Sequence, residues 1–135
     1  MNKEWEMVKD FHVKFNHPVA RAPGTLNSDR VTARGKWMQE ELDEFYAAKN
    51  IYEQADAMID LIYFALGTLV EMGVEPDEIF EIVHHANMSK LWPDGTPRYK
   101  DDGKTLKPPG WQDPEPLLRE SIDRESKKQE VRSKK

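Results

Sequence analysis

Between Ala57 and Val70 the chain carries a single charged residue, Asp60, in an otherwise apolar stretch. The stretch begins near Tyr52, runs to Met72 and stops at Gly73, where a left-handed C-terminal cap is wanted. The pattern predicts a helix that is apolar nearly all round. Such a helix must be buried on most of its sides, at the centre of a bundle or against a second subunit. It does not read as a membrane span, because the run from Leu61 to Val70 is broken by Gly67 and Thr68 and falls far short of about 20 apolar residues. Asp60 is then the anomaly: an ionised carboxylate in a buried apolar stripe is costly unless it is paired or holds a metal.

The rest of the chain supplies partners for this helix. Trp5, Val8, Phe11 and Phe15 recur at three- and four-residue spacing and predict a first helix over about Glu4 to Asn16. His17 to Asn27 holds two prolines and a glycine and reads as loop. Asn27 or Ser28 can cap a second helix running to about Lys49, with Val31, Trp37, Met38, Leu42 and Phe45 on its stripe. Glu75-Pro76-Asp77-Glu78 opens a fourth helix ending near Ser89 or Lys90. Residues 91–116 hold six of the nine prolines together with Gly95, Gly103 and Gly110, so this segment is irregular. Trp92, Tyr99 and Trp111 argue that it packs against something, and residues 116–129 can form a short final helix. The expected fold is an all-α bundle of four to five helices with a long irregular segment after the fourth. Its core is completed by homodimerisation, since so few helices cannot cover the third alone.

A length of 135 residues fits one domain with an appended tail. The charge pattern divides it: residues 119–135 carry seven basic and four acidic side chains, which leaves residues 1–118 at −8 within a net charge of −5. An acidic body of this kind argues against nucleic-acid binding, which draws on cationic contacts to phosphate. The basic tail reads as a solvated helix end fraying into a disordered terminus. The N-terminal residues do not resemble a signal peptide and cysteine is absent, so a cytoplasmic protein is expected and thiol chemistry is excluded.

The acidic charge is concentrated. Glu41 and Glu44 lie three apart on the second helix, with Glu40 four before Glu44, so they present neighbouring carboxylates. Glu53, Asp56 and Asp60 share a face of the third helix. Two antiparallel helices that each supply carboxylates form a hard, all-oxygen site suited to Mg²⁺ or Mn²⁺, with substrate phosphates as further ligands. The plain alternative is a solvated acidic face paired with Lys36 or Lys49. It explains any one of these acids, but not Asp60.

Glu40-Glu41-Leu42-Asp43-Glu44 followed by Asp60-Leu61-Ile62-Tyr63 resembles the E-E-x-x-E and E-x-x-D metal motif of the all-α nucleoside triphosphate pyrophosphohydrolases, the MazG and phosphoribosyl-ATP pyrophosphohydrolase superfamily. Phe11-His12, Pro18, the segment Val83 to Lys90 and the segment Asp102 to Trp111 are similar to its MazG-like dUTP diphosphatase branch. One position departs from the motif: Ala57 stands where the glutamate of E-x-x-D is expected. Asp56 is one substitute, four residues before Asp60; the other register reads Glu53-x-x-Asp56.

The resemblance implies metal ligation by Glu41, Glu44, Asp60 and Asp56, with Glu40 orienting or deprotonating a water. It implies release of pyrophosphate and a nucleoside monophosphate from a deoxynucleotide, dUTP first. It also assigns Asn87 and Lys90 to the nucleotide. Lys104, Lys107 and Arg98 are further candidates for balancing phosphate charge, and Trp111 or Trp92 for stacking a base or pinning the loop. Gly103-Lys104 lacks the spacing of a P-loop, and adjacent His84 and His85 point in different directions, against a zinc pair. His12 reads as a structural hydrogen-bonder. The competing functions are phosphoribosyl-ATP hydrolysis and a non-catalytic helical protein that binds metal or nucleotide.

Overall fold

The computed structural model describes residues 1–133, all of whose regular elements are helices: α1 (Asn2–Lys14), α2 (Ser28–Ala47), α3 (Ile51–Met72), α4 (Pro76–Met88) and α5 (Glu115–Ser133). Local chemistry sets most of the boundaries. The Asn27 side chain accepts the Arg30 N–H at 3.0 Å, and the Asn50 side chain accepts the Glu53 N–H at 2.9 Å, so each opens a helix by satisfying an otherwise orphaned donor. Gly73 ends α3 at φ +71°, and a side chain there would collide with the Ala22 backbone. Pro76 then starts α4, which turns away from α3 by 116°. No single helix among the described residues is long and apolar enough to cross a membrane.

The core is small and sits where α1 crosses α3: Trp5, Val8, Leu66 and Val70 are buried against one another, with Val19 and Leu69 packed around them. The α1–α2 loop is strapped to the end of α3 by Ala20 N–H to Val70 O and Gly24 N–H to Met72 O. The second satisfies a carbonyl at the helix end, and the first adds a second donor to Val70 O, which also accepts the Gly73 N–H. His12, buried at the end of α1, bonds Pro18 O through Nδ1 at 2.8 Å and holds the loop from its other side, a structural role. At the opposite end, Asn2 and Asp77 exchange side-chain to backbone hydrogen bonds of 2.8 and 3.0 Å, so α1 and α4 cap each other. The α4–α5 contact includes an Arg124–Glu78 ion pair at 2.7 Å.

One helix boundary differs from the expectation. α5 runs unbroken through residues 118 and 119 and continues to Ser133, beyond the expected end at Gln129. Ser121 is buried on it, and the basic residues from Arg119 to Arg132 lie on this helix. Lys134 and Lys135 lie outside the described residues. The irregular segment lies where expected, after α4, and Trp111 packs it against that helix. Leu106 N–H bonds Arg98 O and Lys100 N–H bonds Lys104 O, closing a tight hairpin around a single Tyr99–Thr105 bridge.

Candidate metal centre

α2 and α3 pack antiparallel along one seam. Arg34 meets Phe64 and Thr68, and one heptad further along α2 Glu41 meets Asp60. Seven residues of helix carry the chain about 10 Å, so the seam has two ends with different chemistry.

At one end Arg30 grips Glu71 with two hydrogen bonds of 2.8 Å, Nε to Oε1 and Nη2 to Oε2. Arg34 Nη1 lies 3.2 Å from the same Oε2, and the Glu71 side chain is 1% exposed. Arg34 also donates to Thr68 Oγ1 at 3.1 Å and to Phe64 O at 2.9 Å, and both guanidinium groups lie over the Trp37 ring. Gly67 makes room for this: a side chain there would strike Arg34 and come within 2.8 Å of His12 Nε2. Sequence reasoning missed this cluster. The available signal was Arg30 and Arg34 four apart on α2, opposite a glutamate that closes the apolar run four residues after a glycine.

At the other end carboxylate oxygens of Glu41, Glu44 and Asp60 lie within 4.8 Å of one another. Glu41 Oε2 is buried without a hydrogen-bond partner. Burial first, then the adjacent Glu44, then Asp60 and Asp56, push the Glu41 carboxyl up to about 7. Asp60 is raised for the same reasons, burial first and then the charges of Asp56 and Glu44. Asp56 therefore stands near the cluster without belonging to its closest set. Glu53 is engaged elsewhere, accepting the Lys49 N–H at 2.8 Å at the start of α3. Ala57 is 2% exposed within the seam, so a longer side chain there would have to displace packed neighbours. Glu40 is exposed on α2 outside the triad, and among the described residues neither Lys36 nor Lys49 forms a side-chain ion pair with these acids. Like charges gathered around an unpartnered buried oxygen, with only hard oxygen donors, fit a divalent cation such as Mg²⁺ or Mn²⁺.

The remaining candidates form a second group. Lys90 Nζ bonds Asn87 Oδ1 at 2.8 Å and lies 5.4 Å from the Trp111 ring; Lys107 lies 4.7 Å from the same ring. Trp111 Nε1 donates to Ala86 O at 2.9 Å and Ser89 Oγ at 3.0 Å, which pins the loop to the end of α4. Arg98 stacks on Trp92 at 3.9 Å and pairs with Asp94, while Lys104 is exposed in the hairpin. No hydrogen bond or ion pair among the described residues joins this group to the carboxylates. Two clefts flank α5, one lined by Val31, Gly35, Met38 and Ile122 and the other by Asn2, Asp77 and Arg124, and neither contains a carboxylate of the cluster.

A model of the phosphoribosyl-ATP pyrophosphohydrolase family matches residues 8–87, a span that includes every carboxylate of the cluster, the Arg30–Arg34–Glu71 set and Asn87. The chain belongs to that family. As a pyrophosphohydrolase it is an enzyme, which sets aside the reading of a non-catalytic binding protein. A crystal structure from Exiguobacterium sp. 255-15, of a protein proposed to be an NTP pyrophosphohydrolase, is 33% identical and matches with a TM-score of 0.52 over 93% of this chain and 96% of its own. None of the curated proteins compared matches the chain. Lys90, Lys104, Lys107 and Trp111 lie beyond the family match, which ends at Asn87 on α4.

Proposed function

We propose that this pyrophosphohydrolase cleaves a nucleoside triphosphate, dUTP preferred, to the monophosphate and pyrophosphate, with Mg²⁺ held by Glu41, Glu44, Asp60 and Asp56. The observation that carries the reading is the buried, unpartnered Glu41 Oε2 inside a triad of mutually repelling carboxylates. When bound, the cation offsets charge on the phosphate oxygens and lowers the pKa of its water. Glu41, Glu44 and Asp60 hold it from two helices whose spacing is set before substrate arrives. Glu40, next to the triad in sequence, takes the proton of the attacking water. The water oxygen bonds to the α-phosphorus, the α–β bridge breaks, and pyrophosphate leaves with the bridging oxygen. Asn87 and Lys90 contact the nucleotide, with Lys104 and Lys107 balancing phosphate charge and Trp111 keeping Lys90 and Lys107 beside one another.

The preference for dUTP rests on the likeness of Phe11-His12, Pro18 and residues 83–90 and 102–111 to that branch. The family match over residues 8–87 favours phosphoribosyl-ATP as the second substrate to test. A second copy of the chain completes the core: Ile59, Ile62 and Tyr63 on α3 are 61%, 49% and 39% exposed, more than a single soluble chain leaves on a central helix. A sedimentation mass of one chain would overturn that part.

The decisive experiment measures monophosphate and pyrophosphate release from dUTP, other NTPs and dNTPs and phosphoribosyl-ATP, with Mg²⁺, Mn²⁺ or EDTA, for wild type and Asp60→Asn. Turnover of dUTP above the others, lost in EDTA and reduced about a hundredfold or more in the variant, is expected. Turnover that survives EDTA, or a different best substrate, would sink the corresponding part.

A further inference from the structure

The Arg30–Arg34–Glu71 cluster lies about 10 Å along the seam from the carboxylates and is densely bonded. Glu71 accepts from two arginines, and Arg34 ties α2 to a backbone carbonyl, a hydroxyl and a carboxylate of α3. Its position has a mechanical consequence. Arg34 and Glu41 are a heptad apart on α2, and Phe64 and Asp60 are one turn apart on α3, so fixing Arg34 against Phe64 and Thr68 fixes the register at which Glu41 meets Asp60. Without a cation the carboxylates repel one another and favour helices that slide or part. The buried cluster of Trp5, Val8, Leu66 and Val70 joins α1 to α3; between α2 and α3 the arginine cluster acts together with partly buried contacts such as Trp37 against Phe64.

We infer that Arg30, Arg34 and Glu71 are positioning residues that hold α2 and α3 in the register the carboxylate triad needs to capture its metal. The inference rests on the proposed metal role of Glu41, Glu44 and Asp60. With the register fixed, the repulsion is sustained in the folded protein and is released when the cation binds, so affinity for metal depends on a cluster that never contacts it. A residue that served stability alone would change the melting temperature and leave metal affinity in the folded protein unchanged.

The test is titration of the purified protein with Mn²⁺ followed by electron paramagnetic resonance of the free ion, well below the melting temperature. It compares wild type, Glu71→Gln, Arg30→Gln and Asp60→Asn. Glu71→Gln is expected to bind Mn²⁺ roughly tenfold more weakly, with kcat at saturating Mn²⁺ within about twofold of wild type. Arg30→Gln, which keeps the Arg34–Glu71 pair, is expected to show a smaller loss in the same direction. Unchanged Mn²⁺ affinity in folded Glu71→Gln overturns the inference. If that variant does not fold, unchanged affinity in Arg30→Gln overturns it. Wild type that binds no Mn²⁺, or Asp60→Asn that binds as tightly as wild type, overturns the metal reading itself and the inference with it.

Discussion

The two ends of the α2–α3 seam bury charge in opposite ways. At the Arg30–Arg34–Glu71 end two cations surround one anion, and among the described residues no buried side-chain polar atom of the cluster lacks a partner. At the Glu41–Glu44–Asp60 end three carboxyl groups crowd one another, and one buried oxygen has no partner. The first arrangement is complete as folded. The second is unfavourable until something positive arrives, which is the part the proposed cation would play. The contrast teaches that burial of charge is not in itself the mark of a functional site. What separates the two ends is whether the charges are answered within the chain.

The largest effect expected from breaking this contrast comes from removing the answering charge. Glu71→Ala leaves two arginines in the seam without their anion, one of them 4% exposed, and should cost about 3–5 kcal/mol in denaturant unfolding. A loss below 1 kcal/mol would mean that the pair is not structural.

A smaller effect separates two glycines. Gly67→Ala pushes a methyl into Arg34 and His12 and should cost about 1–3 kcal/mol. Gly35→Ala, on the exposed face of α2 with no atom within 4 Å, should stabilise by up to about 1 kcal/mol without altering turnover. Equal effects of the two substitutions would deny that the arginine end needs its gap.

The smallest expected effect sharpens the carboxylate end. The Glu41 carboxyl titrates at about 7 in the folded protein against an ordinary value of 4.5, so the folded state holds the proton more tightly than the unfolded chain. The metal-free protein therefore gains stability as pH falls from above 7, with the gain complete below 4.5 and lost as pH rises through 7. His12, lowered chiefly by burial, works in the opposite direction in mildly acid solution. The difference between wild type and Glu41→Gln cancels the His12 contribution. Melting curves from pH 8 to 5 in EDTA should show a rise of a few degrees in wild type that the variant lacks. Parallel pH profiles for the two proteins would deny the crowding at Glu41.

Much of this was legible in one dimension because the signals are local. Apolar spacing marked α1, Asn27 marked the start of α2, Gly73 the end of α3, and Pro76 opened α4. The carboxylates could be nominated because Asp60 is isolated in an apolar run, an anomaly visible without coordinates. The far end of α5 was less legible because composition reports charge and not packing: α5 is highly charged yet buries Ser121 and pairs Arg124 with Glu78.

What the sequence alone determined is therefore the helices, most of their ends and the residues that repel one another; each depends on neighbours within a turn or on a charge out of place. What only the tertiary structure decided is which charges are answered. Glu71 and Asp60 are both acids on α3, and only the register of α2 brings arginines to one and more carboxylates to the other. Register is a property of two helices together, set by side chains far apart in the chain, and no local pattern contains it.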